Sequence, residues 1–132
     1  MAGVAVRESV TVAGRAERVR VARAFVAGVL GPGHPCGDDA AILVSELFGN
    51  SIRHSRSGLP GETVTIVVIA RDSMVRVEVT DRSGTGVPQA RSAGRDAEGG
   101  RGLALVAALA TRWGWQQHGG RTVVWFILSP PC

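Results

Sequence analysis

The sequence predicts a two-layer α/β sandwich, an α+β fold in which three helices cover one face of a mixed, mostly antiparallel sheet of four or five strands. Several segments alternate apolar and polar residues with a period of two, which is typical of half-buried strands. Other segments repeat apolar residues at helical spacing, which is typical of amphipathic helices. These segments follow one another in the order β-α-α-β-β-α-β-β, so antiparallel neighbours are expected.

The length of 132 residues suits a single domain spanning residues 1–132. The 15 basic residues, all arginine, exceed the 11 acidic ones, so nucleic-acid binding has to be considered. The arginines form no local run, which argues against that function. Cys36 and Cys132 have no metal-ligand spacing, and two cysteines make no disulfide framework. Because we find no signal pattern and no apolar run of about 18 residues, we expect a cytoplasmic protein without a membrane segment.

The first half of the chain predicts one strand and two helices. Residues 7–13 partly alternate and are interpreted as a short strand, and residues 15–30 show helical spacing until the Gly-Pro-Gly-His-Pro run ends the helix. The arginines of residues 15–23 lie mostly off its apolar face. Such a basic side is usually solvated, but it could also hold an acidic partner. A second helix is predicted from Asp38 to about Ser55, with Asp38 or Asp39 as its N-cap.

The second half predicts two hairpins separated by a loop and a helix. Strands are expected at residues 62–71 and 74–81, joined by a turn at Asp72-Ser73. Residues 82–100 show no periodicity, and a loop of that length in a compact domain is usually either a functional lid or disordered. A third helix begins near Gly100. Residues 113–118 and 121–128 then form a hairpin through Gly119-Gly120.

A polar stripe borders the apolar arc of the second predicted helix. Glu46, Asn50, Arg53 and His54 are spaced so that they share one side of that helix. One interpretation is a solvated helix face. The other is the polar floor of a ligand pocket, because a carboxylate, an amide, a guanidinium and an imidazole beside a core face are not needed to make a helix.

Asp81 stands out in the predicted strand at residues 74–81 because it has the same parity as Val75, Val77 and Val79. It is therefore predicted to point to the buried side at the strand end, where a carboxylate needs a partner. The alternative is an aspartate that starts a turn. The Gly-rich helix entry at residues 100–102 predicts a phosphate site, because free backbone N–H groups converge at a helix N-terminus.

Three motifs resemble those of a known superfamily. Glu46-x-x-x-Asn50-x-x-x-His54 resembles the N box of the GHKL (Bergerat-fold) ATP-binding superfamily. Asp81-Arg-Ser-Gly-Thr-Gly86 resembles its D-x-x-G-x-G box, and Gly100-Arg101-Gly102-Leu103 resembles its second glycine box. The motifs occur in the family's order over residues 15–128, with the predicted lid between two of them. The chain looks most similar to the stand-alone anti-sigma-factor serine kinases of bacteria.

The resemblance implies an ATP site with Mg²⁺. Asn50 would hold the metal through its side-chain oxygen, and Asp81 would accept a hydrogen bond from the adenine amino group. The other residues that the resemblance assigns to the nucleotide, its phosphates or the closing lid are Arg53, His54, Gly84, Gly86, Gly100, Arg101, Gly102, Leu103 and Thr122. A threonine at the last position often reaches adenine through water in the family.

The resemblance also implies a reaction and partners. Glu46 would act as the general base of a serine/threonine protein kinase that transfers the ATP γ-phosphate to a serine of a STAS-type anti-sigma-factor antagonist. A sigma factor would be the other partner, the protein would be a homodimer, and no direct nucleic-acid or membrane contact is expected. The alternatives are a nucleotide-dependent module that sequesters a sigma factor or another regulator without significant kinase activity, and an unrelated basic nucleic-acid binder.

Overall fold

A computed structural model of the chain describes residues 5–54, 58–82 and 97–132, without the side chains of His54 and of residues 97–102. The helices and strands are β1 (Val6–Ala13), α1 (Val19–Leu30), α2 (Gly37–His54), β2 (Thr63–Arg71), β3 (Met74–Arg82), α3 (Ala97–Leu109), β4 (Arg112–His118) and β5 (Arg121–Leu128). A 3₁₀ turn at Ala16–Arg18 replaces the start of the helix predicted from residue 15.

The strands form one five-stranded sheet in the order β1-β2-β3-β5-β4, and every pairing in the described strands is antiparallel. The inner face of the sheet supplies core residues such as Ile66, Val77 and Phe126, which are fully buried. The helices supply the rest of the core from that same side. The predicted sandwich, with three helices on one face of an antiparallel sheet, is therefore confirmed.

Helix α2 is the central element of the helical layer, because it packs against both α1 and α3 and lies over β3. Its buried side consists of apolar residues at helical spacing, which are Ala40, Leu43, Val44, Leu47 and Phe48. Burying such a stripe, at about 1.5–3 kcal/mol for each large side chain, holds the helix on the sheet. The site residues of α2 are thereby fixed relative to β3.

The start of α2 corrects one prediction. The Ala40 N–H donates to the Cys36 carbonyl oxygen at 2.9 Å, so Cys36 is the N-cap and neither Asp38 nor Asp39 is. The two aspartates lie in the first turn, where the positive end of the helix dipole stabilises them. The loop before α2 decides where the helix begins, since the Gly37 N–H donates to the His34 carbonyl oxygen at 3.0 Å.

The turns agree with the sequence at two hairpins. Asp72 has a φ of 55°, and Gly119 and Gly120 have φ values of 59° and 76°. Positive φ at both central residues is what a two-residue type I′ turn requires, which explains the Gly-Gly pair.

Helix α3 begins at Ala97, so Gly100 and Gly102 lie inside the helix, and the predicted start at Gly100 is three residues late. Most of the predicted lid, residues 83–96, lies outside the described residues.

The two cysteines are paired, which the sequence did not predict. Cys36 and Cys132 form a disulfide, with their Cα atoms 5.1 Å apart and a sequence separation of 96. The bridge joins the N-terminal end of α2 to the segment that follows β5. Two cysteines so far apart in sequence carry no spacing signal, so only the fold brings them together.

Candidate functional site

Asp81 lies on the inner face of β3 near its end, as its parity predicts, and is 6% exposed. In the sheet it pairs with Thr122 of β5, which is equally buried. Thr122 in turn pairs with Gln117 of β4, whose side-chain Nε2 lies 3.4 Å from the Thr122 hydroxyl. A row of polar side chains therefore crosses three neighbouring strands at one end of the sheet.

Helix α2 reaches this row through Ser51. The Ser51 side chain is buried and hydrogen-bonds to the Asp81 carboxylate. Burial raises the pKa of Asp81 to about 6, and the hydrogen bond from Ser51 offsets part of that increase. The sequence did not single out Ser51, because helical periodicity alone does not show which strand end the residue meets. Its position next to Asn50 was the only available signal.

Two buried oxygens at this end of the molecule have no partner. Asn50 Oδ1 and Asp81 Oδ1 are fully enclosed, and neither accepts a hydrogen bond within the part of the chain that the structure describes. An unpaired buried acceptor costs about 1–3 kcal/mol. Because Asn50 immediately precedes Ser51, the hydrogen bond from Ser51 to Asp81 brings the turn that carries Asn50 against the end of β3. Asn50 and Asp81 are thus brought to one end of the domain.

The chemistry of these two oxygens differs. An amide oxygen is a hard ligand of the kind that Mg²⁺ takes, whereas a carboxylate oxygen at a pH above the Asp81 pKa suits an N–H donor. The residues present therefore fit a ligand that brings both an N–H donor and a metal-bound anion. Among the described residues there is no cluster of three or more His, Cys, Asp or Glu that could hold a metal ion on its own.

Glu46 lies one helical turn before Asn50 and is half-buried. It lines a cleft of about 320 Å³ between α1 and α2, together with Arg23, Ile42 and Ser45. Among the residues that the structure describes, none forms a hydrogen bond or an ion pair with its carboxylate. The carboxylate is therefore open to a ligand that enters from the α1 side.

Arg53 is exposed, and its guanidinium group folds back over Gly49. A Cβ atom at residue 49 would lie 3.2 Å from Arg53 Nη1, so the glycine makes room for this packing. The side chain thus lies along the same stripe of α2 as Glu46 and Asn50, as the sequence predicted. His54 ends α2, but only its backbone is described.

The remaining predicted site residues divide into three groups. Gly84 and Gly86 lie outside the described residues. Gly100, Arg101 and Gly102 are described only by their backbone, inside the first turns of α3. Leu103 is 1% exposed and belongs to the hydrophobic core.

The sequence analysis did not predict Gln117 as a site residue. It has the same parity as Trp113 and Trp115, which lie on the inner face of β4, and that alternation could have identified it.

The sequence profile of the histidine kinase-like ATPase domain matches residues 12–128 of the chain. The chain belongs to this family. The matched range contains the polar row and all of α2, so membership supports an ATP-binding regulatory domain. No curated protein matches the chain.

The fold is also similar to that of a solved structure, the RsbU and RsbW domains of Rv1364c from Mycobacterium tuberculosis, with a TM-score of 0.67 and 20% sequence identity. The similarity covers 93% of this chain but only 32% of that chain, so the protein spans about a third of the length of this relative. Among the described residues, no helix is long and apolar enough to cross a membrane.

Proposed function

We propose that this protein binds ATP with Mg²⁺ and acts as an anti-sigma factor with serine/threonine protein kinase activity. Its substrate would be a serine of a STAS-type anti-sigma-factor antagonist. One observation carries the nucleotide part of this proposal: Asn50 and Asp81 each present a buried oxygen that has no partner among the described residues, and the hydrogen bond from Ser51 to Asp81 holds their two elements together. Family membership supports the same ligand.

Asp81 would recognise the base. Its ionised carboxylate accepts a hydrogen bond from the adenine amino group, with Thr122 beside it to hold a bridging water. Guanine presents an oxygen at the corresponding position, and two acceptors facing each other in a buried site repel. Gly86 would let the backbone approach the base, and Gly84 belongs to the same motif.

Asn50 would hold the metal through Oδ1. Mg²⁺ prefers oxygen ligands, and when bound it would neutralise the charge of the phosphates. Arg53 and His54 border this position on α2. Gly100, Arg101 and Gly102 of the second glycine box would close on the phosphates, where the guanidinium groups add further positive charge.

Glu46 would be the general base. Its carboxylate accepts the proton of the substrate serine hydroxyl, the serine oxygen forms a bond to the γ-phosphorus, and the bond from that phosphorus to the β–γ bridging oxygen breaks, releasing ADP. The cleft between α1 and α2 supports this role, because it gives a partner protein access to Glu46. Arg23 lines the same cleft and supplies positive charge to the incoming segment.

The partners would bind on the basic side of α1. Arg20 and Arg23 are exposed on this helix, and Arg18 extends the positive surface at its start. An acidic surface of a sigma factor or of the STAS antagonist is complementary to it. We further propose that the protein is a cytoplasmic homodimer and that it contacts neither nucleic acid nor membrane directly.

The test combines binding and phosphate transfer. Calorimetric titration with ATP and Mg²⁺ should give saturable binding to the wild-type protein and much weaker binding to Asp81→Asn. Radiolabelled ATP should then label the serine of a STAS protein from the same genome, and Glu46→Gln should abolish the labelling while leaving ATP affinity unchanged. Binding that is the same in wild type and Asp81→Asn would refute the assignment of the base site.

A second function is supported by the position of Glu46. Its cleft is lined by Arg23 of α1 and not by Asn50, and such a surface also suits contact with a partner protein without phosphate transfer. The alternative is therefore a nucleotide-dependent module that sequesters a sigma factor or another regulator. It predicts partner capture that depends on ATP or ADP, with no labelled product in the transfer assay.

A further inference from the structure

The disulfide and the candidate site lie at opposite ends of α2. Cys36 immediately precedes the helix, and Asn50 and Ser51 lie near its far end. With a rise of 1.5 Å per residue, the helix separates the two positions by roughly 20 Å. Ser51 ties α2 to β3 at one end, and the bridge to Cys132 ties it to the segment after β5 at the other.

The two cysteines differ in accessibility. Cys36 is fully buried, whereas Cys132 is exposed. The segment before Cys132 is held at Ser129, whose N–H donates to the Thr111 hydroxyl at 3.1 Å. Pro130 and Pro131 are exposed and have no N–H to donate. Within the described part of the chain, the bridge is therefore what keeps residues 130–132 against the helix.

The loop before α2 is arranged around Cys36. The Cys36 N–H donates to His34 Nδ1 at 3.0 Å, and the Gly37 N–H donates to the His34 carbonyl oxygen at the same distance. His34 Nε2 is buried without a partner in the described residues. Any change at Cys36 therefore reaches the first turn of α2 directly through the backbone.

We propose that Cys36–Cys132 is a reversible thiol–disulfide site that takes a protein dithiol as its reductant, and that its redox state controls how firmly α2 presents Asn50 and Ser51 to the nucleotide. The inference rests on the proposed nucleotide binding and on the proposed cytoplasmic location. Disulfides in reducing compartments are mostly redox-sensing or catalytic, and the cytoplasmic location proposed above places this bridge in that class.

The exchange proceeds in two balanced steps. A thiolate of the reductant attacks Cys132 Sγ, because that sulfur is the accessible one, the S–S bond breaks, and Cys36 leaves as a thiolate. Its position at a helix N-terminus favours a departing thiolate. The second thiolate of the reductant then attacks the mixed disulfide, releasing Cys132 and leaving the reductant as a disulfide. Two electrons pass to the protein, and both of its sulfurs end as thiols after taking up two protons.

Reduction of the disulfide should weaken nucleotide binding. The segment after Ser129 comes away from the helix, and the first turn of α2 loses its covalent tie to the sheet. The helix then depends on its apolar stripe and on the hydrogen bond of Ser51 to hold Asn50 near Asp81. A less firmly held Asn50 binds the metal–nucleotide complex more weakly, so the oxidised protein is the tighter binder.

The experiment compares the full chain in its oxidised form, after reduction with dithiothreitol, and as Cys132→Ser, which cannot form the bridge. Alkylation and mass spectrometry establish the state of each sample. Calorimetry with ATP and Mg²⁺ should show about fivefold or greater weakening on reduction, the lower range of coupling between distant sites. Cys132→Ser should match the reduced protein and should not respond to dithiothreitol.

Amide hydrogen exchange of residues 37–54 without nucleotide provides a second readout. Reduction should speed exchange at the start of α2, and oxidised glutathione should restore protection in the wild type alone. Equal affinity and equal exchange in the two redox states would overturn the proposal, as would a protein whose thiols resist oxidation. If neither state binds ATP, the proposed function fails, and the exchange of α2 still decides whether the bridge acts on the helix.

Discussion

The carboxyl group of Asp81 combines two properties that oppose each other in a folded protein. It is nearly inaccessible, which favours the neutral acid, and it accepts a hydrogen bond from Ser51, which favours the anion. Burial has the larger effect, so the group titrates near pH 6. Strongly perturbed titrating groups are concentrated at functional sites, and Asn50, next to Ser51 on α2, presents a second buried oxygen without a partner among the described residues.

Asp81→Asn should weaken ATP binding by about tenfold or more, because a hydrogen bond to a charged group contributes about 1.5–3 kcal/mol. The amide can also donate to guanine, so the preference for ATP over GTP should diminish. Titration of both nucleotides with both proteins measures the two effects. Asn keeps the shape of the side chain, so circular dichroism should be unchanged. A preference that survives the substitution would mean that another group reads the base.

Asp81 should also make stability depend on pH. Its pKa is raised from 3.8 to about 6 in the folded state, so the folded protein holds the proton more tightly than the unfolded chain does. Its contribution to stability is therefore fully present below pH 4 and is lost as the pH rises through 6, a difference of about 2–3 kcal/mol. Asp81→Asn lacks this dependence.

Urea unfolding of the wild type and of Asp81→Asn at pH 4.5 and pH 7 measures the effect. The free energy of unfolding of the Asn variant should exceed that of the wild type by a larger margin at pH 7. Ser51→Ala should widen the margin further, because it removes the hydrogen bond that favours the anion. A difference in unfolding free energy that is independent of pH would contradict the raised pKa of Asp81.

At this scale the sequence predicted the burial of Asp81 but not its partner. The period of two in β3 is enough to assign Asp81 to the face of the valines. The hydrogen bond of Ser51 depends on how α2 lies across β3, and that crossing is set by packing of the whole helical layer. The contact between Gln117 and Thr122 depends on the register of β4 on β5. The Gly-Gly turn implies that register once the turn is assigned.

Among the elements, the end of α2 lies very close to Gly58. The backbone of Gly58 passes so near that a Cβ atom there would overlap the Ile52 carbonyl oxygen. Because the Ile52 oxygen belongs to the helix backbone, it cannot move aside cheaply.

Gly58→Ala should therefore destabilise the protein by about 1–3 kcal/mol, the usual cost of a forced overlap. Gly28→Ala is the matched control, since its Cβ would meet nothing within 4 Å on α1. In a helix that change should stabilise by about 0.5–1 kcal/mol. Thermal unfolding of the two variants should show midpoints that move in opposite directions. Equal shifts of the two unfolding midpoints would mean that residue 58 accommodates a Cβ atom at no cost in stability.

The elements themselves were predicted better than their ends. Helix α3 begins before the glycines because tertiary contacts of Leu103 and Val106 outweigh the low helix propensity of Gly. The N-cap of α2 was misassigned because Asp38 and Asp39 have the preferred side chains, while the loop through His34 fixes the first hydrogen bond at Cys36. Local preference was overruled by the surrounding structure in both cases.

For the whole molecule, the disulfide is a covalent constraint between residues that are far apart in sequence. It closes a loop of 96 residues, and bridges of that span stabilise mainly by restricting the unfolded chain. The loop contains β2, β3, β4 and β5 together with α2 and α3, so unfolding of most elements is affected.

Cys132→Ser should lower the free energy of unfolding by up to about 5 kcal/mol, the entropy of a loop of this length. The exposed position of Cys132 makes a hydroxyl inexpensive there. Guanidinium unfolding of the variant, of the oxidised wild type and of the reduced wild type measures the loss. The variant should match the reduced wild type and should be less stable than the oxidised wild type. A loss below about 1 kcal/mol would show that the unfolded chain is already restricted.

The hairpin of β4 and β5 contains all three tryptophans. Trp113 and Trp115 pack against the core, whereas Trp125 lies on the opposite face of the sheet beneath the guanidinium of Arg76, 4.4 Å from the ring centroid. The same hairpin carries Gln117 and Thr122. Indole emission therefore offers a built-in optical probe, with two fluorophores on the ligand side and one screened from it, and titrations need no attached dye.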